Sequence, residues 1–220
     1  MEYAFISDIH GNLPALECVL DEVAGYTIYC AGDLVGYGPW PNEVVDCIRS
    51  MDMVCVRGNH DYAAVTDDTS GFNYMASEAA HWSHRRMTAD NIRYLSSLPE
   101  VYSSGDLLIV HGSPRDQLNE YVYPEDPYFE ALFDGLGEGV IVLGHTHVPF
   151  VRRVGGKIVF NPGSVGQPRD GNPGASYATY DTEEEKVVFH RVEYPIDDVV
   201  EMVEAQGLPL KIGQRLYLGV

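Results

Sequence analysis

The chain has 220 residues, 45% of them hydrophobic, and its 33 acidic against 14 basic residues leave a formal charge of −19. That length and apolar content suit one domain over residues 1–220 with a sizeable core. The acidic balance excludes a broad nucleic-acid surface and a basic face for anionic membranes, so an anionic substrate would need local positive charge, such as bound metal ions.

In chain order, short apolar or β-branched runs at 3–6, 27–30 and 53–56 predict buried strands. Helical patterns at 13–24 and 42–51 separate them, the second opened by Pro41, whose missing backbone donor costs nothing there. This βαβαβ order implies a parallel sheet covered by helices. A helix is expected over 73–87, with Thr88 capping a second, shorter one that ends before Pro99. Further apolar runs at 107–110 and 140–143 read as strands. Beyond Pro149 the segments 150–154, 157–160, 176–180 and 186–194 look like strands joined by tight turns, including Gly155-Gly156, so the last third should add antiparallel strands. A helix over 196–205 stops at Gly207.

The four cysteines, Cys18, Cys30, Cys47 and Cys55, sit in apolar patterns without a C-x-x-C pair and read as reduced thiols. No stretch approaches the ~20 apolar residues of a membrane span, and no basic leader precedes the first strand. The expectation is a soluble, cytoplasmic chain with no membrane partner.

Each expected core strand is followed at once by a group able to bind metal. Asp8 and His10 follow the first, Asp33 the second, Asn59, His60 and Asp61 the third, His111 the fourth, and His145 and His147 the fifth. Ligands of open α/β sheets bind beyond the carboxyl ends of the strands, so five such endings can converge on one crevice. Asp8 and His10, like His145 and His147, are two apart in an extended turn and can point the same way. Five of the eight histidines fall in these glycine-containing turns, whereas His81, His84 and His190 do not and read as structural. The mixture of imidazole, carboxylate and amide oxygen suits divalent manganese, iron, nickel or zinc better than calcium.

The order D-x-H, G-D, G-N-H-D, H-G, G-H-x-H, from Asp8 to His147, resembles the calcineurin-like metallophosphoesterases, and Asn161-Pro162-Gly163-Ser164-Val165-Gly166 is similar to the closing segment of their small bacterial and archaeal branch, which includes YfcE-like phosphodiesterases and asymmetrical diadenosine tetraphosphatases. The resemblance implies a four-layer αββα sandwich in which two divalent ions are bound. Asp8, His10 and His147 would hold one ion, Asn59, His111 and His145 the other, and Asp33 would bridge them. It implies hydrolysis of a phosphodiester or phosphoanhydride bond in a small phosphate-ester or nucleotide substrate by a metal-activated hydroxide, with His60 as proton donor. Asp61 either orients His60 or serves as a turn or cap residue. The arginine that follows Gly-Asp in protein phosphatases and symmetrical dinucleotide tetraphosphatases is missing from Leu34-Val35-Gly36-Tyr37-Gly38, which argues against those branches. His60 stands where some small relatives carry cysteine. The alternative is a noncatalytic metal-binding scaffold for protein contacts; such scaffolds usually lose ligands or the acid, and none is missing here.

For substrate grip, Arg57, Arg115 and Arg169 flank the motifs and either fork onto phosphate or form surface or structural ion pairs. Asn161 and Ser164 lie in a loop that can offer backbone donors. Tyr37, Trp40, Tyr62, Tyr121, Tyr123 and Tyr128 can stack a nucleobase or simply pack their loops.

Overall fold

A computed structural model describes residues 2–220. The first three expected strands form as β1 (Glu2–Ile6), β2 (Thr27–Cys30) and β3 (Val54–Cys55), with α1 (Leu13–Glu22) and α2 (Pro41–Ser50) between them. The β1–β2 and β2–β3 pairs are parallel, as the βαβαβ order requires. Next come α3 (Asn59–Thr66), α4 (Tyr74–Arg86), α5 (Ala89–Ser97), β4 (Val101–Ser104), β5 (Leu107–Val110), a single 3₁₀ turn (Glu130–Phe133), β6 (Val140–Val142), β7 (Phe150–Val154), β8 (Lys157–Asn161), β9 (Ala175–Asp181), β10 (Lys186–Val192), α6 (Ile196–Ala205) and α7 (Leu210–Leu216). Asn12, Asn73 and Thr88 cap α1, α4 and α5 by accepting backbone N–H bonds.

The strands divide into two mixed five-stranded sheets, ordered β10-β9-β1-β2-β3 and β4-β5-β6-β8-β7. The late strands β9, β10 and β7 are antiparallel to their partners, as expected, but β8 runs parallel to β6.

Alternate residues of the central strands feed different layers. Ala4 and Ile6 face the helix-covered core with Leu16, Val19, Val44 and Ile48, while Phe5 enters the seam between the sheets with Ile109, Val142 and Phe160. Leu108, Val110, Ile141 and Leu143 face outward from the second sheet. Burial on both faces explains why these strands read as unbroken apolar runs. The four-layer αββα arrangement therefore holds, with a thin fourth layer: Val122, Phe129, Leu132 and Phe133, from a loop and the 3₁₀ turn, cover the outer face of the second sheet. Val199 and Val203 of α6 and Ile212 and Leu216 of α7 join the helix-side core. No helix among the described residues is long and apolar enough to cross a membrane.

Candidate metal centre

The carboxyl ends of the parallel strands of both sheets meet at one edge of the molecule. Asp8 and His10 leave β1, Asp33 leaves β2, and Asn59 opens α3 just past β3, all from the first sheet. His111 leaves β5, and His145 and His147 follow β6, from the second. All seven side chains are buried. Five of them, Asp8, His10, Asp33, His145 and His147, have φ between 50° and 67°, a left-handed region costly for residues with a Cβ. Strain at so many polar positions in one place marks a site held by its surroundings.

The ligand atoms gather in two halves. In one, His147 Nε2 lies 3.2 Å from Asp8 Oδ1 and 3.1 Å from His10 Nε2. In the other, His111 Nε2 lies 3.1 Å from both His145 Nδ1 and Asn59 Oδ1. Asp33 Oδ2 stands between them, 3.6 Å from His10 Nε2 and 3.3 Å from His111 Nε2. Donors bound at ~2.0–2.2 Å to one ion are themselves about 3 Å apart, so these spacings fit edges of coordination polyhedra.

The donor chemistry also fits. His10 Nδ1 donates to the Val35 carbonyl, His111 Nδ1 to Ala31, His147 Nδ1 to Gln167 and His145 Nε2 to Asn119. The carbonyls fix the tautomers, leaving His10, His111 and His147 to present Nε2 and His145 to present Nδ1. The Nε2 lone pairs of His10 and His147 thus face each other across 3.1 Å, an arrangement that a cation between them relieves. Asp8 Oδ2 is occupied by the Ser7 hydroxyl and the His145 N–H, and Asp33 Oδ1 by the His60 N–H. The remaining oxygens, Asp8 Oδ1 and Asp33 Oδ2, are buried without a hydrogen-bond partner, and these are the atoms that face the imidazoles. A buried carboxylate oxygen left bare is costly unless a cation meets it.

The electrostatics agree. Burial pushes the Asp8 carboxyl up, but His147, His111 and Ser7 outweigh it and hold the group well below the usual carboxylate range. Burial likewise opposes Asp33, which His111, His60 and His10 bring down. Burial lowers His10 and His147, and lowers His145 to about 3. His111, resisted by burial but drawn by Asp33 and Asp8, rises to about 9.

Two backbone approaches are too close for any side chain. A Cβ on Gly58 would fall 2.0 Å from Asp33 Oδ1, and one on Gly36 would fall 2.7 Å from His60 Nδ1. Asp61 accepts from the backbone N–H groups of Gly58 (2.9 Å), Asp33 (2.9 Å) and Val35 (3.1 Å), fastening the loop after β2 to the first turn of α3. The expectation that Asp61 orients the His60 ring is corrected: Asp61 is spent on three amides, and His60 Nδ1 has no hydrogen-bond partner. The His60 ring instead packs among Tyr37, Phe72 and His10, with centroids 4.7, 4.6 and 4.8 Å away.

A cavity of about 370 Å³ opens over the centre, lined by Asn59, His60, His145, Tyr37, Tyr121, Phe72, Arg169 and Arg215. The Tyr121 ring lies on His145, 3.9 Å between centroids. Of the expected substrate contacts, Arg57 is held 2.6 Å from Glu100 and over the Tyr62 ring, and exposed Arg115 pairs with Glu120; neither lines the cavity. Asn161 and Ser164 are fully buried. Asn161 bonds the Gly144 carbonyl, the Thr146 hydroxyl and the Gly163 N–H, and Ser164 bonds the Asp8 carbonyl and the Gln167 N–H. They brace the ligand loops from beneath, which corrects their assignment to substrate. No sequence motif points to Arg215, which lies in α7, far from every ligand turn. His81, His84 and His190 bond Asp67, the Ala64 carbonyl and Thr179, away from the centre, in keeping with structural roles.

A two-sheet sandwich whose strand ends assemble Asp, His and Asn ligands over an open cavity defines a protein of the metallophosphoesterase class. Residues 1–185 match the calcineurin-like phosphoesterase superfamily domain, and the chain belongs to that family. It is 36% identical over 240 aligned positions to the Methanocaldococcus jannaschii protein MJ0912, covering 98% of this chain and 97% of that one. It is 29% identical over 197 positions to the phosphodiesterase YfcE of Escherichia coli, covering 83% and 89%. The crystal structure of a metallophosphoesterase from Sphaerobacter thermophilus superposes with a TM-score of 0.90 at 38% identity, covering 100% and 99%. The protein is accordingly a phosphoesterase hydrolase of a family that uses divalent metals.

Proposed function

We propose that the protein hydrolyses phosphodiester or phosphoanhydride bonds of a small, nucleotide-like substrate, dinucleotide polyphosphates among the candidates, in the cytoplasm and with two divalent transition-metal ions, manganese, iron, nickel or zinc. The observation that carries this is the bare oxygen Asp33 Oδ2 set between two groups of donors, Asp8, His10 and His147 on one side and Asn59, His111 and His145 on the other. Asp8, His10 and His147 would hold one ion, Asn59, His111 and His145 the other, with Asp33 shared. When bound, the pair supplies the positive charge that draws in a phosphoryl oxygen and acidifies the attacking water.

The chain's own residues supply the rest. Asp8 and Asp33 stay ionised, and the backbone carbonyls keep four imidazoles aimed. His60 faces the cavity, and because its Nδ1 lies against Gly36, Nε2 is the nitrogen left to meet the leaving group. Burial holds His60 down at about 4 even though Asp33 pulls it up, so the ring is neutral near pH 7. An anionic phosphate entering the cavity raises its proton affinity, and His60 gains a donatable proton with substrate in place. The similarity to a phosphodiesterase supports diester chemistry. The four free cysteines suit a reducing compartment. A complete ligand set disfavours the noncatalytic scaffold.

The test is turnover of a panel of nucleotides, dinucleotides and 4-nitrophenyl phosphodiesters by metal-depleted protein, with manganese, iron, nickel, zinc or magnesium returned in turn. Metal-dependent release of a nucleotide or nitrophenolate is expected. Equal rates with and without metal would overturn the reading.

A further inference from the structure

The wall of the cavity facing the ligands carries two guanidinium groups from segments distant in the chain. Arg169 lies in the loop between β8 and β9, and Arg215 in α7, beyond the segment that defines the family. Arg57, Arg115 and Arg191 each meet an acidic side chain, whereas no Asp or Glu side chain forms an ion pair with Arg169 or Arg215 among the described residues. In a chain with 33 acidic side chains, two such cations beside one cavity are conspicuous.

The hydrogen bonds of Arg169 go to neutral groups. Arg169 Nη2 donates to the Gln167 side-chain carbonyl (3.0 Å) and the Tyr37 hydroxyl (3.4 Å), and the guanidinium carbon sits 5.8 Å from the Tyr37 ring centroid. Its Nε is buried without a partner. Arg215 Nε donates to the main-chain oxygen of Val220, the last residue of the sequence, at 2.6 Å, and Arg215 also lines the cavity. Burial and the neighbouring Arg169 both make it harder for Arg215 to keep its charge, the mark of two like charges crowded together. The arrangement is fixed: Gly213 seats α7 against Val200 of α6, and the Gly171 N–H donates to the Gly219 carbonyl at 2.9 Å, tying the Arg169 loop to the segment after α7. Tyr37 separates the pair from the chemistry, touching Arg169 with its hydroxyl and His60 with its ring.

From this arrangement we propose that Arg169 and Arg215 form a second anion subsite that binds a phosphate other than the one being cleaved. The substrate is then a phosphate ester or anhydride bearing at least one further phosphate within reach of a single nucleotide. Two forked cations without acidic side-chain partners match the geometry and charge of a phosphate. They also oppose, at the point of entry, the repulsion that the overall negative charge exerts on such a substrate. This rests on the phosphoesterase reading of the adjoining centre and adds its substrate class.

The experiment compares thymidine 3′,5′-bisphosphate with thymidine 5′-phosphate, binding each to the full-length protein by calorimetry, and in parallel the turnover of their 5′-(4-nitrophenyl) esters by metal-loaded protein. The bisphosphate is expected to bind about 10-fold or more tightly than the monophosphate, with a matching preference in KM. Arg169→Gln and Arg215→Gln should each erase most of that ratio, and Arg169→Lys and Arg215→Lys should restore part of it, melting curves confirming that all four fold. A ratio near one in the parent protein, or a ratio unchanged in both Gln variants, overturns the subsite even if both esters are cleaved. Preferential binding without turnover of either ester would instead uphold the subsite and sink the hydrolytic reading.

Discussion

Asp33 Oδ2 lies 3.3 Å from His111 Nε2 and 3.6 Å from His10 Nε2, so one carboxylate oxygen serves both halves of the centre. Replacing Asp33 with alanine removes the negative charge that would offset repulsion between the two proposed cations. Asp33→Ala is expected to drop bound metal from about two ions per chain to one or fewer, with nearly all turnover lost. Elemental analysis alongside a diesterase assay checks this, and full activity with a full complement of metal would rule the bridge out.

The His60 ring nitrogens make no hydrogen bond to any of the seven candidate ligands, so bound metal should survive its loss. His60→Ala is expected to keep its metal and to slow hydrolysis by roughly 10²-fold or more for alkoxide or phosphate leaving groups. The loss should shrink for nitrophenolate, which departs without a proton. Equal losses across a leaving-group series would deny His60 the role of acid.

Gly58 offers a structural test independent of catalysis. A methyl group there would collide with Asp33 Oδ1 and the Asp33 N–H, atoms that cannot yield without dragging the loop after β2. Gly58→Ala should cost about 1–3 kcal/mol of stability, as overpacking does, and weaken metal retention as well. Thermal melting and metal content report the two effects, and a variant indistinguishable from the parent would contradict the close approach.

Metal uptake should be linked to protons through one residue above all. His111 is raised to about 9 and so carries a proton at pH 7 in metal-free protein, whereas His10, His145 and His147 are lowered and already neutral. A ligand must shed its proton to bind, so loading at pH 7 should release about one proton, and affinity should rise with pH until His111 is neutral near 9. Calorimetry in buffers of different ionisation enthalpy measures the release directly. Heats independent of buffer would show that His111 is already neutral at pH 7 and overturn the proton linkage.

Much of this was legible in the chain because the ligands sit where strands end, and strands buried on both faces announce themselves as apolar runs. The division into two sheets was legible only through the family resemblance, since Tyr3 to Ile6 and Leu107 to Val110 look alike whichever sheet receives them. Helix α3 hid behind its own chemistry: Asn59, His60 and Asp61 read as a motif, and the short segment that follows has no clear apolar stripe. Edge strand β4 is short, polar and largely exposed, and α7 lies among Gly207, Pro209, Gly213 and Gly219, which signal turns. Arg57, Arg115, Asn161 and Ser164 were misjudged for a common reason. Sequence proximity to a motif does not tell whether a side chain points into the cavity or, like Asn161 and Ser164, is consumed by backbone groups underneath it.

Each half of the centre draws on both sheets: Asp8 and His10 meet His147 across the seam, and Asn59 meets His111 and His145. A bound ion would therefore act as a rivet joining two slabs otherwise held by side chains such as Phe5, Ile109 and Phe160. Free metal concentration would then govern how firmly the molecule holds together as well as how fast it works, and chelation would loosen the sandwich from its catalytic edge inward.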